Sequence, residues 1–277
     1  MTVKMCVLGS GSGGNCTAIW SRKQGILIDF GGTLGKEHWK NQLKSIGLSP
    51  GHIKGLLITH GHGDHINSDT LEFCSENRIP IYIHPKTFKT INSHKRYKMA
   101  IREYRMKTLF KKHPMKIFHI GRYRILPFKV FHDDYFSSGN AGQPLGFCIS
   151  LRNYTSEIKI GYVTDTQYLT KSALDSLIDC NCLVIETNND KYIKKVHPNH
   201  KNHLSNQLAA QYINHILKNS SQQNDLSVIV CVHISSHNNR PRLVLRNVNN
   251  VLNQTCRRDI KVYLAEQDSR TRIIKLH

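Results

Sequence analysis

Thr59-His60-Gly61-His62-Gly63-Asp64-His65 follows directly on the apolar run Ile53-Lys54-Gly55-Leu56-Leu57-Ile58, and this stretch decides how the rest of the chain is read. Three imidazoles and a carboxylate within six residues are the ligand types that borderline divalent metals prefer, Zn²⁺ above all and also Mn²⁺ or Fe²⁺. Without a cation such a cluster is a costly knot of like-charged groups near neutral pH. The two intervening glycines are expected to let the backbone turn tightly enough for His60 and His62 to reach one ion while Asp64 and His65 reach a second.

Four residues cannot complete two coordination spheres, so further ligands are sought where extended runs end. Phe128-Lys129-Val130-Phe131 ends at His132, Gly161-Tyr162-Val163-Thr164 at Asp165, and Val230-Cys231-Val232 at His233. Strand termini are where a layered α/β fold presents side chains to a ligand. A single histidine so placed is ordinarily a satisfied surface or core residue. Three metal-ligand types in series after the first motif point to one shared site.

Around these ends the chain alternates strand-like and helix-like patterns: VKMCVLG, GILIDFG, EHWKNQLKSIG, IKGLLITH, DTLEFCSENR and IPIYIHP. That rhythm predicts layered sheets and helices, an α/β architecture. From Phe110 to Tyr162 the pattern is strand-like with short polar turns, and an antiparallel meander is expected. After Thr166 come helix (KSALDSLID), strand (CLVIETN), helix (LSNQLAAQYINHILK), strand (SVIVCVHI), helix (PRLVLRNVNNVLN) and strand (DIKVYLA). Ser205 and Asn206 are placed to cap the second of these helices, whose Leu208, Tyr212 and Ile216 fall at helical spacing and read as core. Ser220 to Asp225 reads as a turn between elements. No internal repeat or long linker appears, so residues 1–277 are read as a single domain.

The composition excludes collagen-like, low-complexity and wholly disordered classes: 39% apolar, 21% charged, with Gly 18 and Pro 8. Lys+Arg 39 against Asp+Glu 19 leaves a net charge of +20, which points to a polyanionic partner. Thirteen Lys/Arg against the lone acid Glu103 fall between His84 and Arg124, so +12 of that charge sits in about a seventh of the chain. Phe88, Tyr97, Tyr104, Phe110, Phe118 and Tyr123 are interleaved with it. Basic and aromatic residues together suit phosphate contact with base stacking, although any one of these aromatics also fits a core position. This segment, 84–124, reads as a polyanion-facing surface. No run of 18 apolar residues and no signal-peptide pattern occurs, so a cytoplasmic protein with no membrane contact is expected. The eight cysteines lack a CxxC pair and read as reduced, buried small hydrophobes.

With these residues in place, the T-H-G-H-G-D-H element, His132, Asp165, His233 and the opening Gly9-Ser10-Gly11-Ser12-Gly13-Gly14-Asn15-Cys16 together resemble the metallo-β-lactamase superfamily. More closely, GSGSGGNC, VFHDD followed by GFCI, GYVTDTQYL, ETNND, HLSNQLAA and VHISSHNN are similar, in order, to motifs of the bacterial YycJ/WalJ branch, implicated as a DNA exonuclease, and more distantly to tRNase Z. The resemblance runs from about Val7 to Val251. It implies a four-layer αββα sandwich with two divalent metal ions, Zn or Mn, at the sheet edges. On that likeness His60, His62 and His132 would hold the first ion, Asp64, His65 and His233 the second, and Asp165 would bridge them. Two such ions make a water acidic enough to attack near neutral pH and clamp phosphate oxygens; Asp64 would accept that water's proton. Glu186, ending CLVIE, and His203 resemble the Glu/His pair of tRNase Z-like phosphodiesterases, in which the carboxylate orients an imidazole that protonates the departing oxygen. A helix-terminal histidine without a chemical role is the plainer reading of His203. The sixteen residues between Glu186 and His203 are fewer than the Pro- and Tyr-containing insert usual in the YycJ/WalJ branch.

The function these features imply is a dinuclear metal-dependent phosphodiesterase acting on nucleic acid, foremost a DNA exonuclease, with DNA ahead of RNA. Hydrolysis of a small phosphodiester such as a cyclic nucleotide, as in immune evasion, would use the same residues. A nucleic-acid binder with structural metals is the third class, but structural zinc sites are normally closed and built from Cys and His, not from Asp. The opening GSGSGG lacks the Lys-Ser/Thr of a P-loop and reads as a tight turn near the metals. Asn238-Asn239 either orients a ligand or forms a turn before Pro241. For segment 84–124 a lid, a homodimer element and a nucleic-acid arm all stay open.

Overall fold

The computed structural model describes residues 2–104, 109–113, 115–132, 141–152, 157–193, 201–221 and 226–277. Its central strands are buried on both faces, which is why they read as near-continuous apolar runs, whereas strands towards the sheet edges keep exposed positions. In β1 (Val3–Gly9), Met5 and Val7 point into one core while Cys6 and Leu8 point into another, the period of two that a pleated strand imposes. β1 pairs antiparallel with β2 (Cys16–Ser21), which pairs with β3 (Gln24–Ile28); β4 (Ile53–Leu57) and β5 (Ile81–Ile83) then continue the sheet in parallel. The sheet closes with β6 (Phe110–Lys112) at one edge and β14 (Ile274–Leu276) at the other.

The second sheet is a meander, β7 (Phe118–Ile120), β8 (Tyr123–Lys129), β9 (Leu145–Arg152) and β10 (Glu157–Val163), extended in parallel by β11 (Cys182–Glu186), β12 (Val228–Val232) and β13 (Lys261–Leu264). Ile26, Leu57, Ile125, Phe147, Ile160 and Val230 fill the space between the sheets. Outside the first sheet, α1 (Gly35–Ser45), α2 (Ser68–Glu76), α3 (Pro85–Ser93) and α4 (Lys95–Glu103) bury Trp39, Leu43, Phe73, Ile91 and Ile101. Outside the second, α5 (Lys171–Leu177), α6 (Asn206–Asn219) and α7 (Pro241–Gln254) bury Leu177, Ile213 and Val248. The order of layers is αββα, as the resemblance implied.

Some expectations shift. The meander begins at Phe118, not Phe110: β6 belongs to the first sheet, where Phe110 pairs in parallel with Ile81. Three residues carry too little alternation to reveal their sheet. Helices α3 and α4, hidden in the sequence by their lysines and arginines, form the crossover that makes β5 and β6 parallel. Seven cysteines are buried and none is paired, but Cys256, just past α7, is exposed. Ser205 caps α6 by accepting from Leu208 N, whereas Asn206 is used elsewhere. Ile216 is buried in the core, with Leu208 and Tyr212 half-buried against it. Among the described residues no helix is long and apolar enough to cross a membrane. Asp133, residues 194–200 of the spacer before His203, and most of the Ser220–Asp225 turn lie outside the described residues.

Candidate metal centre

β4 delivers its chain end to the edge between the two sheets, and Thr59 to His65 turn there before Asn67 caps α2 by accepting from Thr70 N. Neither Gly61 nor Gly63 adopts a left-handed backbone, and a Cβ on Gly63 would meet nothing within 4 Å. The tightness expected of the motif's own glycines is supplied by a neighbour. A Cβ on Gly31, after β3, would lie 2.4 Å from His65 N, so only glycine lets this loop back onto the motif.

His60, His62 and His132 converge. His60 Nε2 lies 2.9 Å from His62 Nδ1, and His132 Nε2 lies 3.2 Å from the same atom. His132, beyond the end of β8, donates from Nδ1 to the Asn202 carbonyl at 3.0 Å, which leaves Nε2 aimed at the other two rings. Burial pushes the His60 imidazole well below the usual range, and His65 and His62 add to the effect. Burial likewise lowers His132, partly offset by Asp165. Three imidazole nitrogens brought this close together are a donor set that suits a divalent cation.

Asp64, His65, Asp165 and His233 form the second group. His65 Nε2 lies 3.3 Å from Asp165 Oδ2 and 3.4 Å from Asp64 Oδ2. His233 Nε2 is buried without a hydrogen-bond partner and faces Asp165 Oδ1 at 3.5 Å and Asp64 Oδ2 at 3.9 Å. Burial alone would depress the His233 imidazole, but Asp165, then Asp64 and Glu186, lift it to about 10. His65 is held well above its usual range: burial opposes this, and Asp64, Asp165 and Asp29 outweigh it. Two carboxylates and two imidazoles meeting around one point suit a divalent ion.

Asp64, His65 and His233 are each held by a residue that the sequence reading left unassigned or read otherwise. Asp29, fully buried after β3, accepts from His65 Nδ1 at 2.8 Å, from Thr59 Oγ1 at 2.8 Å and from Thr59 N at 2.9 Å. This is the carboxylate–histidine arrangement that orients metal-binding imidazoles. Asn15, from the glycine-rich opening, donates to Asp64 Oδ2 at 3.3 Å and to His65 Nε2 at 3.1 Å, while Ser10 Oγ accepts from His233 N. The opening loop is therefore a cradle for ligands, as its placement near the metals suggested. Asn188 donates to the His233 carbonyl at 3.0 Å. Asn238 and Asn239 are buried; Asn239 bonds to Thr187 and Asn206, while Asn238 lines the cavity beside His233. Asp29, Asp165 and His233 all have left-handed backbones, φ 56°, 51° and 53°, a conformation that non-glycine residues rarely adopt and that clusters at functional sites.

Glu186 and His203 also meet. Glu186 Oε1 accepts from His203 Nδ1 at 2.6 Å, and its Oε2 accepts from Thr166 N and Leu204 N. Burial would raise the Glu186 carboxyl, but His203 leads the interactions that hold it below its usual value. His203 Nδ1 is 3.7 Å from Asp165 Oδ1, which places this pair against the second group. Beside His203 and His233 opens a cavity of about 220 Å³, lined by Ser12, Asn188, Ser235, His237, Asn238 and Gln267.

The family model described as the beta-lactamase superfamily domain matches residues 25–221. The exodeoxyribonuclease YycJ of Bacillus anthracis is 24% identical over 264 residues, covering 92% of this chain and 90% of that protein. The exodeoxyribonuclease WalJ of Streptococcus pneumoniae is 26% identical over 280 residues, covering 99% and 98%. Among solved structures, the metallo-beta-lactamase fold protein YhfI from Bacillus subtilis superposes with a TM-score of 0.68 at 12% identity, covering 100% of both chains. The short form of human tRNase Z superposes with a TM-score of 0.62 at 17% identity, covering 99% of this chain and 100% of its own. With its layers, its clustered histidines and aspartates and a match over most of its length, the chain belongs to the β-lactamase superfamily and is a metal-dependent hydrolase.

Proposed function

We propose that this hydrolase is a dinuclear phosphodiesterase that degrades nucleic acid, DNA in particular, from an end. The observation that carries the reading is the meeting of two donor groups beside a buried Glu186–His203 pair. His60, His62 and His132 would hold one divalent ion, Asp64, His65 and His233 the other, with Asp165 between them. Zn²⁺ or Mn²⁺ held there would neutralise charge on a phosphate and supply a water acidic enough to attack it. In the step that follows, water adds to phosphorus and its proton passes to Asp64. As the bond to the leaving oxygen breaks, His203 donates its Nε2 proton to that oxygen, while Glu186 fixes the ring through Nδ1 and stabilises the imidazolium from which that proton comes. The exodeoxyribonuclease names of the two curated relatives, and the net charge of +20, support a polyanionic substrate.

Hydrolysis of end-labelled DNA, RNA and cyclic nucleotides across a salt series, by Mn²⁺- or Zn²⁺-loaded wild type and an Asp64→Ala/His65→Ala variant, tests this. Mononucleotides released from DNA by wild type alone are the expected result. Turnover of cyclic nucleotides alone, with the shallow salt dependence of a one-phosphate ligand, would move the function to small diesters. Intact polymers and intact cyclic nucleotides with the loaded wild type would end the proposal.

A further inference from the structure

The basic segment 84–124 is not one surface. Its first part forms α3 and α4, over the first sheet and beside the metal motif, where Tyr97 Oη donates to the Ile66 carbonyl. Its last part belongs to the second sheet, and there the alternation of β8 sends Tyr123 and Ile125 into the inter-sheet core and Arg124 outward. His119 and Ser150 stand opposite Arg124 on the neighbouring strands, and Arg152 stands opposite Glu157. His119, Arg122, Arg124, Arg152 and Glu157 surround a hollow of about 530 Å³ floored by Ser150. Lys159, on the same face, is turned aside to donate to the Ile178 carbonyl. The α5 layer packs over Phe128 and Cys148, nearer the metals, and the hollow lies beyond it.

Three arginines and a histidine therefore share one outward face with a single carboxylate, Glu157. Three arginines around one hollow repel one another unless an anion spreads across them. Arginine forks match phosphate oxygens in pairs, and Arg124 on β8 and Arg152 on β9, diagonal neighbours about 7–8 Å apart, can each meet a separate phosphate. His132 lies eight residues along the chain from Arg124, five of them in β8, so the hollow stands at most about 25 Å from His132. A duplex covers that distance in about eight base pairs.

We propose that the outward face of β7–β10, through Arg124 and Arg152, binds the phosphate backbone of the nucleic acid whose end occupies the metal centre. The occupant rests on the nuclease reading above; the face itself does not. The test compares wild type with Arg124→Ala/Arg152→Ala and with the charge-preserving Arg124→Lys/Arg152→Lys. Hydrolysis is followed on bis(p-nitrophenyl) phosphate, a 5-mer and a 30-mer DNA, and binding by anisotropy of a labelled phosphorothioate 30-mer. The alanine variant should keep wild-type turnover of the small diester and the 5-mer, which also shows that it is folded. Its KM for the 30-mer should rise about tenfold, and the slope of log affinity against log salt should fall by about 2, near 0.9 for each lost phosphate contact. The lysine variant should keep most of the salt slope while binding the 30-mer more weakly. Equal effects on 5-mer and 30-mer, or none on either, would overturn the proposal. If wild type cleaves no nucleic acid, anisotropy still decides: weakened 30-mer binding by the alanine variant retains the face and removes the nuclease reading, and unchanged binding removes the face. Displacement from the face by polyglutamate but not by DNA would reassign it to an acidic protein and likewise overturn the proposal.

Discussion

His60, His62 and His132 are held by one another and by two contacts from outside the group, the Asn202 carbonyl on His132 and Thr59 Oγ1 on His60. Asp64, His65 and His233 are instead tied to Asn15, Asp29, Ser10, Asn188 and Glu186, residues scattered from the first loop to the end of β11 and the turn after it, and Asp165 accepts from Thr164 Oγ1. The contrast separates two ways of making a cation site. The first group is made of imidazoles alone, without a carboxylate, and burial lowers the basicity of His60 and His132. The second group carries formal charge, and charge in a low-dielectric pocket must be held in place by hydrogen bonds or it relaxes.

Removing the group at the junction should break the distinction most severely. Asp165→Ala is expected to lower hydrolysis by on the order of a thousandfold, the several kcal/mol that metal-assisted charge stabilisation supplies. Its metal content, read by elemental mass spectrometry, should drop by at least one ion; full content with full activity would mean that Asp165 joins neither group.

His203→Ala should leave metal content unchanged and slow hydrolysis of a sugar-oxygen leaving group by roughly a hundredfold to ten-thousandfold. A p-nitrophenolate needs no proton to depart, so bis(p-nitrophenyl) phosphate should be turned over at nearly the wild-type rate. Equal losses on both substrates would assign His203 to the site's structure instead.

Asp29→Asn sharpens the contrast further, because Asp29 bonds His65 directly and reaches His60 only through Thr59. Competition with a chromophoric chelator should show one ion bound about ten- to a hundredfold more weakly and the other unaffected. Parallel weakening of both ions would show that the groups act as one unit.

The smallest effects separate two glycines. Gly31→Ala forces a methyl against His65 N and should cost about 1–3 kcal/mol in thermal unfolding. Gly63→Ala, inside the motif itself, has open space and should stay within about 0.5 kcal/mol of wild type.

The pattern of what was legible follows the physics of contact in sequence. His60, His62, Asp64 and His65 announce themselves because neighbours along the chain share one turn. His132, Asp165 and His233 are legible as strand ends, but only the order of the surrounding motifs joined them to one another. Asp29 was missed although it also ends a strand, because it touches the site through His65, thirty-six positions further on. Helices α3 and α4 were obscured by charge, since their apolar positions are few and their basic faces dominate the composition. β6 and β14, three residues each, are defined by partners far away and not by any local period. The burial of Asn188 and Asn239 had no sequence signature at all, because an asparagine reads as a turn residue until its partners are known.

The left-handed backbones at Asp29, Asp165 and His233 bear on how substitution data from this chain should be interpreted. A saturation library scored for folding would favour glycine and asparagine at these three positions, because those residues enter that region of conformational space most readily. β-Branched substitutions there would drop out for steric reasons before their chemistry could be scored. A library scored for turnover would reject glycine and asparagine together with the rest. Positions at which the two scores diverge in this way would identify ligand chemistry directly, with backbone tolerance already subtracted.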